Sequence, residues 1–231
     1  MEVRRVPLEF SLLWRTVRRA SLPEFHCPER LTVKQATIIE CGMFCGLVAA
    51  GVGLRLAFRD VPNFAPVAAL ALFAGYYFRS ALTAVAVPLL VMAATDLVIG
   101  GYAWHMMAVV YGMLALPALL RSWVRRGFDL RTGEPKSCAK ALAGLLSCSL
   151  ASSVLFYIVT NFGAWLWFDM YDRTWAGLLE CYVRALPFFR YTLAGDACFA
   201  FVLFGGYAWI CSWQSAAQTA NAPVPRDAIV S

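Results

Sequence analysis

Charged side chains are scarce in this sequence. Asp, Glu, Lys and Arg make up 15% of its 231 residues, against about 25% in an ordinary soluble domain. That shortage excludes a disordered chain, a coiled coil and a simple soluble globule. Histidine is rarer still: with only His26 and His105, a bis-histidine haem within the apolar spans cannot be built. No CxxC pair is present, which argues against a quinone-linked disulfide oxidoreductase. There is no HExxH, no GxSxG and no pair of carboxylates at metal spacing on one helix. A phosphate-binding Walker loop is missing too, so any use of ATP requires another subunit. The sequence therefore points away from an enzyme and carries no cofactor or metal motif.

Apolar residues are abundant. They account for 61% of the chain, and the mean hydropathy is +0.63. At roughly 20 residues per crossing, this length accommodates about six membrane helices with short loops. The predicted fold is an all-α polytopic bundle, with spans at 36–58, 61–78, 81–99, 102–120, 141–160 and 192–213. Pro62 and Pro66 fall in the opening turns of the second run, where proline is tolerated. Gly100-Gly101 makes a tight turn after the third.

The flanking segments differ in character. Residues 1–35 lack the continuous apolar core of a signal peptide. Leu8 to Arg19 (LEFSLLWRTVRR) fits a basic amphipathic helix on an anionic leaflet, or a loose cytoplasmic tail. Residues 161–191 are too polar to cross yet rich in Trp and Tyr. Within them Thr174 to Phe189 has a helix-like pattern, expected as a short amphipathic helix over the bundle, in a lid. The polar stretch 214–231 is expected to be disordered. The eight cysteines, mostly inside apolar runs, are read as small buried hydrophobes.

Orientation follows from the basic residues. With both termini cytoplasmic, fifteen of the twenty Lys and Arg fall on the inner side and five on the outer side. This places the chain in the cytoplasmic (inner) membrane. It also accounts for a pI near 9.0 without nucleic acid as a partner.

Small residues recur every four positions: Gly42, Gly46 and Ala50 on the first span, Ala65 with Ala69 and Ala71 with Gly75 on the second. Such faces let helices approach closely, either within the bundle or against a separate membrane partner. Ionisable groups at membrane depth are costly, so they are the default candidates for function. Asp96 lies near the outer end of the third span, His105 opens the fourth, and Asp196 is placed one turn into the sixth. Asn63, Asn161, Trp165, Trp167 and Tyr171 flank the same outer surface. Together they suit a small, flat, heterocyclic ligand held in an aromatic box with a few polar anchors. Each also has a structural role open to it. Asp96 and Asp196 serve as helix caps, Asn161 as a C-terminal cap, and His105 and the tryptophans as interfacial residues.

One set of motifs is distinctive. It runs through PNFAPVAALALFAGYYF (Pro62 to Phe78), Pro88, Thr95-Asp96-Leu97, Ser152-Ser153 and Thr160-Asn161-Phe162-Gly163-Ala164-Trp165-Leu166. It continues through Tyr171, Thr174, Gly177-Leu178, Cys181-Tyr182, Pro187-Phe188-Phe189, Gly195-Asp196 and Leu203-Phe204-Gly205. The series, covering about 54–206, resembles a family of bacterial six-span membrane proteins described as transport proteins, with no established substrate. That family is in turn similar to the substrate-capture (S) components of energy-coupling-factor vitamin transporters. The resemblance implies capture of a vitamin-like solute at the outer side, and association with a transmembrane coupling subunit and its ATPases. It also implies that Ala65, Ala69, Ala71 and Gly75 dock that subunit. The expected ligand residues are Asn63, Asp96, His105, Asn161, Trp165, Trp167, Tyr171 and Asp196. Two other functions fit the sequence: a non-transporting membrane scaffold, and an ion-coupled carrier using Asp96 and Asp196.

Overall fold

The structure, a computed structural model, describes residues 33–61, 64, 66–128, 130 and 135–220. The chain divides into two units, residues 1–39 and 40–231. Of the first, only residues 33–39 are described, as the opening turns of a helix. The predicted amphipathic segment Leu8 to Arg19 lies outside the described residues, as do His26, Cys27, Asn63 and Ala65.

The elements are α1 (Val33–Ala57), α2 (Val67–Tyr77), α3 (Ala81–Ile99), α4 (Trp104–Leu119), α5 (Arg121–Gly127), α6 (Pro135–Trp167) and α7 (Trp175–Ala220). No strand occurs among the described residues. Five stretches are long and apolar enough to cross a membrane: Thr37–Ala57, Ala81–Ile99, Trp104–Gly127, Lys136–Trp167 and Trp175–Ala217. The molecule is an all-α, membrane-embedded helical bundle. Below, its upper end is the one holding Ala57, Ile99 and the α6–α7 turn; the lower end holds the α2–α3 and α4–α6 connections.

Local chemistry sets several boundaries. The Ser80 hydroxyl accepts the Thr83 backbone N–H at 3.3 Å and caps the start of α3. Gly100 ends it with φ +104°, a conformation that costs an L side chain but not glycine. Pro117 lies inside α4. Three residues later the helix gives way at Leu120, and α5 follows.

The second predicted span is the main departure. Its helix covers 11 residues, about 16 Å at 1.5 Å per residue, roughly half of a 30 Å hydrocarbon layer. Pro66 takes the N-cap position, and the residues described before it form turns and bends. Nine of the helix's residues are buried, so α2 is the hub around which α3, α4 and α7 pack. Non-helical backbone at depth is tolerable because protein surrounds it.

That position corrects the docking assignment. Ala69, Ala71 and Gly75 lie inside the bundle and present no face to a partner. A Cβ on Gly75 would stand 2.9 Å from the Ala118 Cα, which shows how closely α2 and α4 approach. The other small-residue face, Gly42, Gly46 and Ala50 of α1, is exposed. α1 meets the bundle along the stripe Phe44, Leu47, Val48, Gly51 and Arg55.

The sequence also set the last two spans too short. α6 and α7 have 33 and 46 residues, about 50 and 69 Å long. Residues 161–191 do not form a separate lid. They are the end of α6, the turn 168–174 and the start of α7, and the helix expected at Thr174 to Phe189 continues unbroken into the last span. Polar groups there pair one turn apart, as in Glu180–Arg184 at 2.7 Å, so polarity does not break the helix. Likewise 214–220 continue α7, and 221–231 lie outside the described residues. Of the described cysteines, only Cys181 is buried; Cys41, Cys45 and Cys198 face outward. In lipid an apolar residue gains nothing by facing inward.

Candidate functional site

The upper half of the bundle encloses a cavity of about 530 Å³, within the range typical of small-molecule sites. Its mouth carries Arg55, Arg59 and Tyr102; its walls carry Phe58, Phe64, Tyr157, Asn161, Phe188 and Phe189; Asp196 lies in its floor.

The floor is built by two helices and the start of a third. The Asp196 side chain is 1% exposed. The Ser153 hydroxyl of α6 donates to its Oδ2 at 2.5 Å, and the backbone N–H of Ala69 donates to the carboxylate as well. Ala69 belongs to the first turn of α2, where backbone donors lack intrahelical partners and Pro66 supplies no side-chain cap. Asp196 therefore caps a neighbouring helix, not its own. It lies about 31 Å from the start of α7, far deeper than the one turn expected from sequence. No cation pairs with it among the described residues.

The mouth depends on a second carboxylate. Asp96, 7% exposed, accepts the Arg55 guanidinium at 2.8 Å on Oδ1 and the Tyr111 hydroxyl at 3.0 Å on Oδ2. Arg55 also reaches the Thr95 hydroxyl, which in turn donates to the Val91 carbonyl at 2.7 Å. Asp96 thus stands behind Arg55 and does not line the cavity. Burial, followed by the nearby Asp96 carboxylate, pushes the Tyr102 phenol up to about 12, so at neutral pH it keeps its proton to donate.

One wall is clasped by the α6–α7 pair. The Tyr157 hydroxyl donates to the Tyr182 carbonyl at 2.5 Å, and the Tyr182 hydroxyl to the Ile158 carbonyl at 2.8 Å. Tyr157 stacks on Phe189 with centroids 4.3 Å apart. The turn above is closed by its own bonds: Trp165 Nε1 donates to the Asp172 carbonyl at 2.9 Å, and Arg173 donates to the Trp165 and Leu166 carbonyls. The Gly177 N–H is accepted by the Thr174 hydroxyl at 3.1 Å. A Cβ on Gly177 would fall 2.1 Å from the Asp172 carbonyl oxygen, so only glycine fits there.

Of the residues singled out from sequence, Asn161 and Asp196 line the cavity. Asp96 acts through Arg55. His105 packs between the rings of Trp104 and Trp167, 5.3 and 5.1 Å away. Trp165 is engaged in the turn, and Tyr171 is half-buried beside it; neither they nor His105 and Trp167 line the cavity. Asn161 Nδ2 donates to the Tyr157 carbonyl at 2.8 Å within α6. Sequence reading missed Arg55, Tyr102 and the phenylalanines. Arg55 carries a signal: it is an ionisable residue inside the apolar stretch Gly53 to Phe58. Among the described residues no three His, Cys, Asp or Glu converge as a metal site would need.

Neither a curated protein nor a solved structure shows significant similarity to the chain. A family model does, over residues 35–220, which takes in nearly every helix described above. The chain belongs to that family, a family of unknown function (DUF6580).

Proposed function

We propose that the protein captures a small organic solute in the upper cavity and does no chemistry on it, acting as the binding subunit of a membrane transport system. The observation that carries this reading is the cavity itself: aromatic walls, few polar groups, and an entrance at one end of the bundle. A scaffold has no use for such a space and predicts a packed interior instead. The excess of basic residues at the lower end and in the terminal segments supports an inner-membrane location, with the mouth facing outward and both termini inside. Energy would come from outside the chain, since it carries no nucleotide-binding loop. A coupling subunit with ATPases, as the sequence resemblance implies, would have to dock on a face other than α2.

The experiment is mass spectrometry of small molecules released from gently purified protein, paired with thermal shift against vitamins, nucleobases and amino acids. The expected result is one class of retained solute, lost in Asn161→Ala. No retained or stabilising solute in either assay sinks the reading. Asp196 supports a second one. A buried carboxylate with no countercharge among the described residues, in the floor of a cavity at mid-depth, suits a proton-coupled carrier. That alternative requires uptake to stop when the proton gradient is collapsed; uptake indifferent to the gradient eliminates it.

A further inference from the structure

Capture, taken as proposed above, leaves open what kind of molecule is held, and the placement of charge narrows it. Arg55 and Arg59 lie one helical turn apart and both line the mouth, whereas their carboxylate partners do not. Asp96 holds Arg55 from behind. Asp60 stands 3.8 Å from Arg59 and is almost fully exposed, where solvent weakens its hold. Tyr102 adds a hydroxyl donor at the same level. The opposite pole is the floor, where Asp196 has no cation beside it among the described residues that could hold an anion. Between the two poles the walls present the rings of Phe58, Phe64, Phe188 and Phe189.

We propose that the cavity takes an anionic, ring-bearing solute, its carboxylate or phosphate held at the mouth by Arg55 and Arg59 and its ring packed between the phenylalanines below. Arg59 is the residue that sets the charge preference. Arg55 is already committed to Asp96 and fixes the position of the mouth, while Arg59 keeps a guanidinium free enough to pair with the ligand.

The test uses full-length protein in phosphatidylcholine nanodiscs, titrated with four naphthalenes: 2-naphthoate, 2-naphthyl phosphate, neutral 2-naphthamide and cationic 2-naphthylmethylamine. At least one acid is expected to bind about tenfold more tightly than the amide, with the amine weakest. Arg59→Gln, at an exposed position, should remove that preference, bringing the acids down to the affinity of the amide. If wild type binds the amide as tightly as both acids, the charge proposal fails and capture stands. A preference that survives Arg59→Gln also overturns it. If none of the four binds, the cavity holds no such ring and this proposal falls, while capture is decided by the retained-solute assay. Repeating the titration in discs containing phosphatidylglycerol separates two sources of the anion. Displacement of the probe assigns the site to a lipid headgroup, and continued binding assigns it to a free solute; either keeps the anion.

Discussion

The carboxylate of Asp96 has both oxygens engaged, by Arg55 and Tyr111, so its worth is best measured by removing one partner. Arg55→Ala leaves a nearly buried anion without its cation, and a loss of about 3 kcal/mol is expected in denaturant unfolding of the detergent-solubilised protein. The double variant Arg55→Ala/Asp96→Ala should recover much of that loss, because the stranded charge is gone. Glycines provide a second contrast. Gly75→Val forces a side chain against the Ala118 backbone and should cost about 2 kcal/mol. Gly42→Val, where a Cβ meets open space, should stay within about 0.5 kcal/mol. The same denaturant unfolding series reads both.

Among the elements, α2 is the one whose role was least legible. Its apolar run is plain in the sequence, and α3 was found with its true limits because Ser80 and Gly100 mark its ends locally. Nothing local says that α2 stops short of a crossing, since a run such as VAALALFAGYY is equally apolar whether lipid or protein surrounds it. Nor could the pairing of α6 with α7 be read, because it rests on carbonyl acceptors such as those of Tyr182 and Ile158. Asp196 stands out in the sequence as an acid within an apolar run, yet its partner Ala69 is far away in the chain. Replacing the carboxylate tests the cap. Asp196→Ala should cost about 1–2 kcal/mol, and Asp196→Asn markedly less, since the amide oxygen still accepts from the Ala69 N–H. Gly177→Ala should raise amide exchange across the turn 168–174 by breaking its contact with Asp172.

For the whole molecule, the alternation of ends is the testable property. With α1 to α7 placed as described, the turn 168–174 and the connection after α5 emerge at opposite ends of the bundle. A cysteine introduced at Asp172 should react with an impermeant maleimide on intact cells, and one at Arg126 only after the membrane is opened. Labelling of both from one side would contradict a membrane crossing by α6. The helical class and the membrane setting are legible because lipid imposes a length and an apolarity on every crossing. The cavity was half legible. Its polar members stand out against an apolar background, whereas a phenylalanine facing a cavity and one facing lipid look alike in sequence.

The capping of α2 by Asp196 has a further consequence, for the order of assembly. During synthesis α2 enters the membrane long before α7 exists, and the Ala69 N–H lacks the Asp196 carboxylate until that helix arrives. The hub of the bundle is therefore completed only by α7, the last of the described helices. A nascent chain halted before Trp175 should hold α2 only loosely and be cut by protease near Pro66, with protection appearing once residue 196 has been inserted.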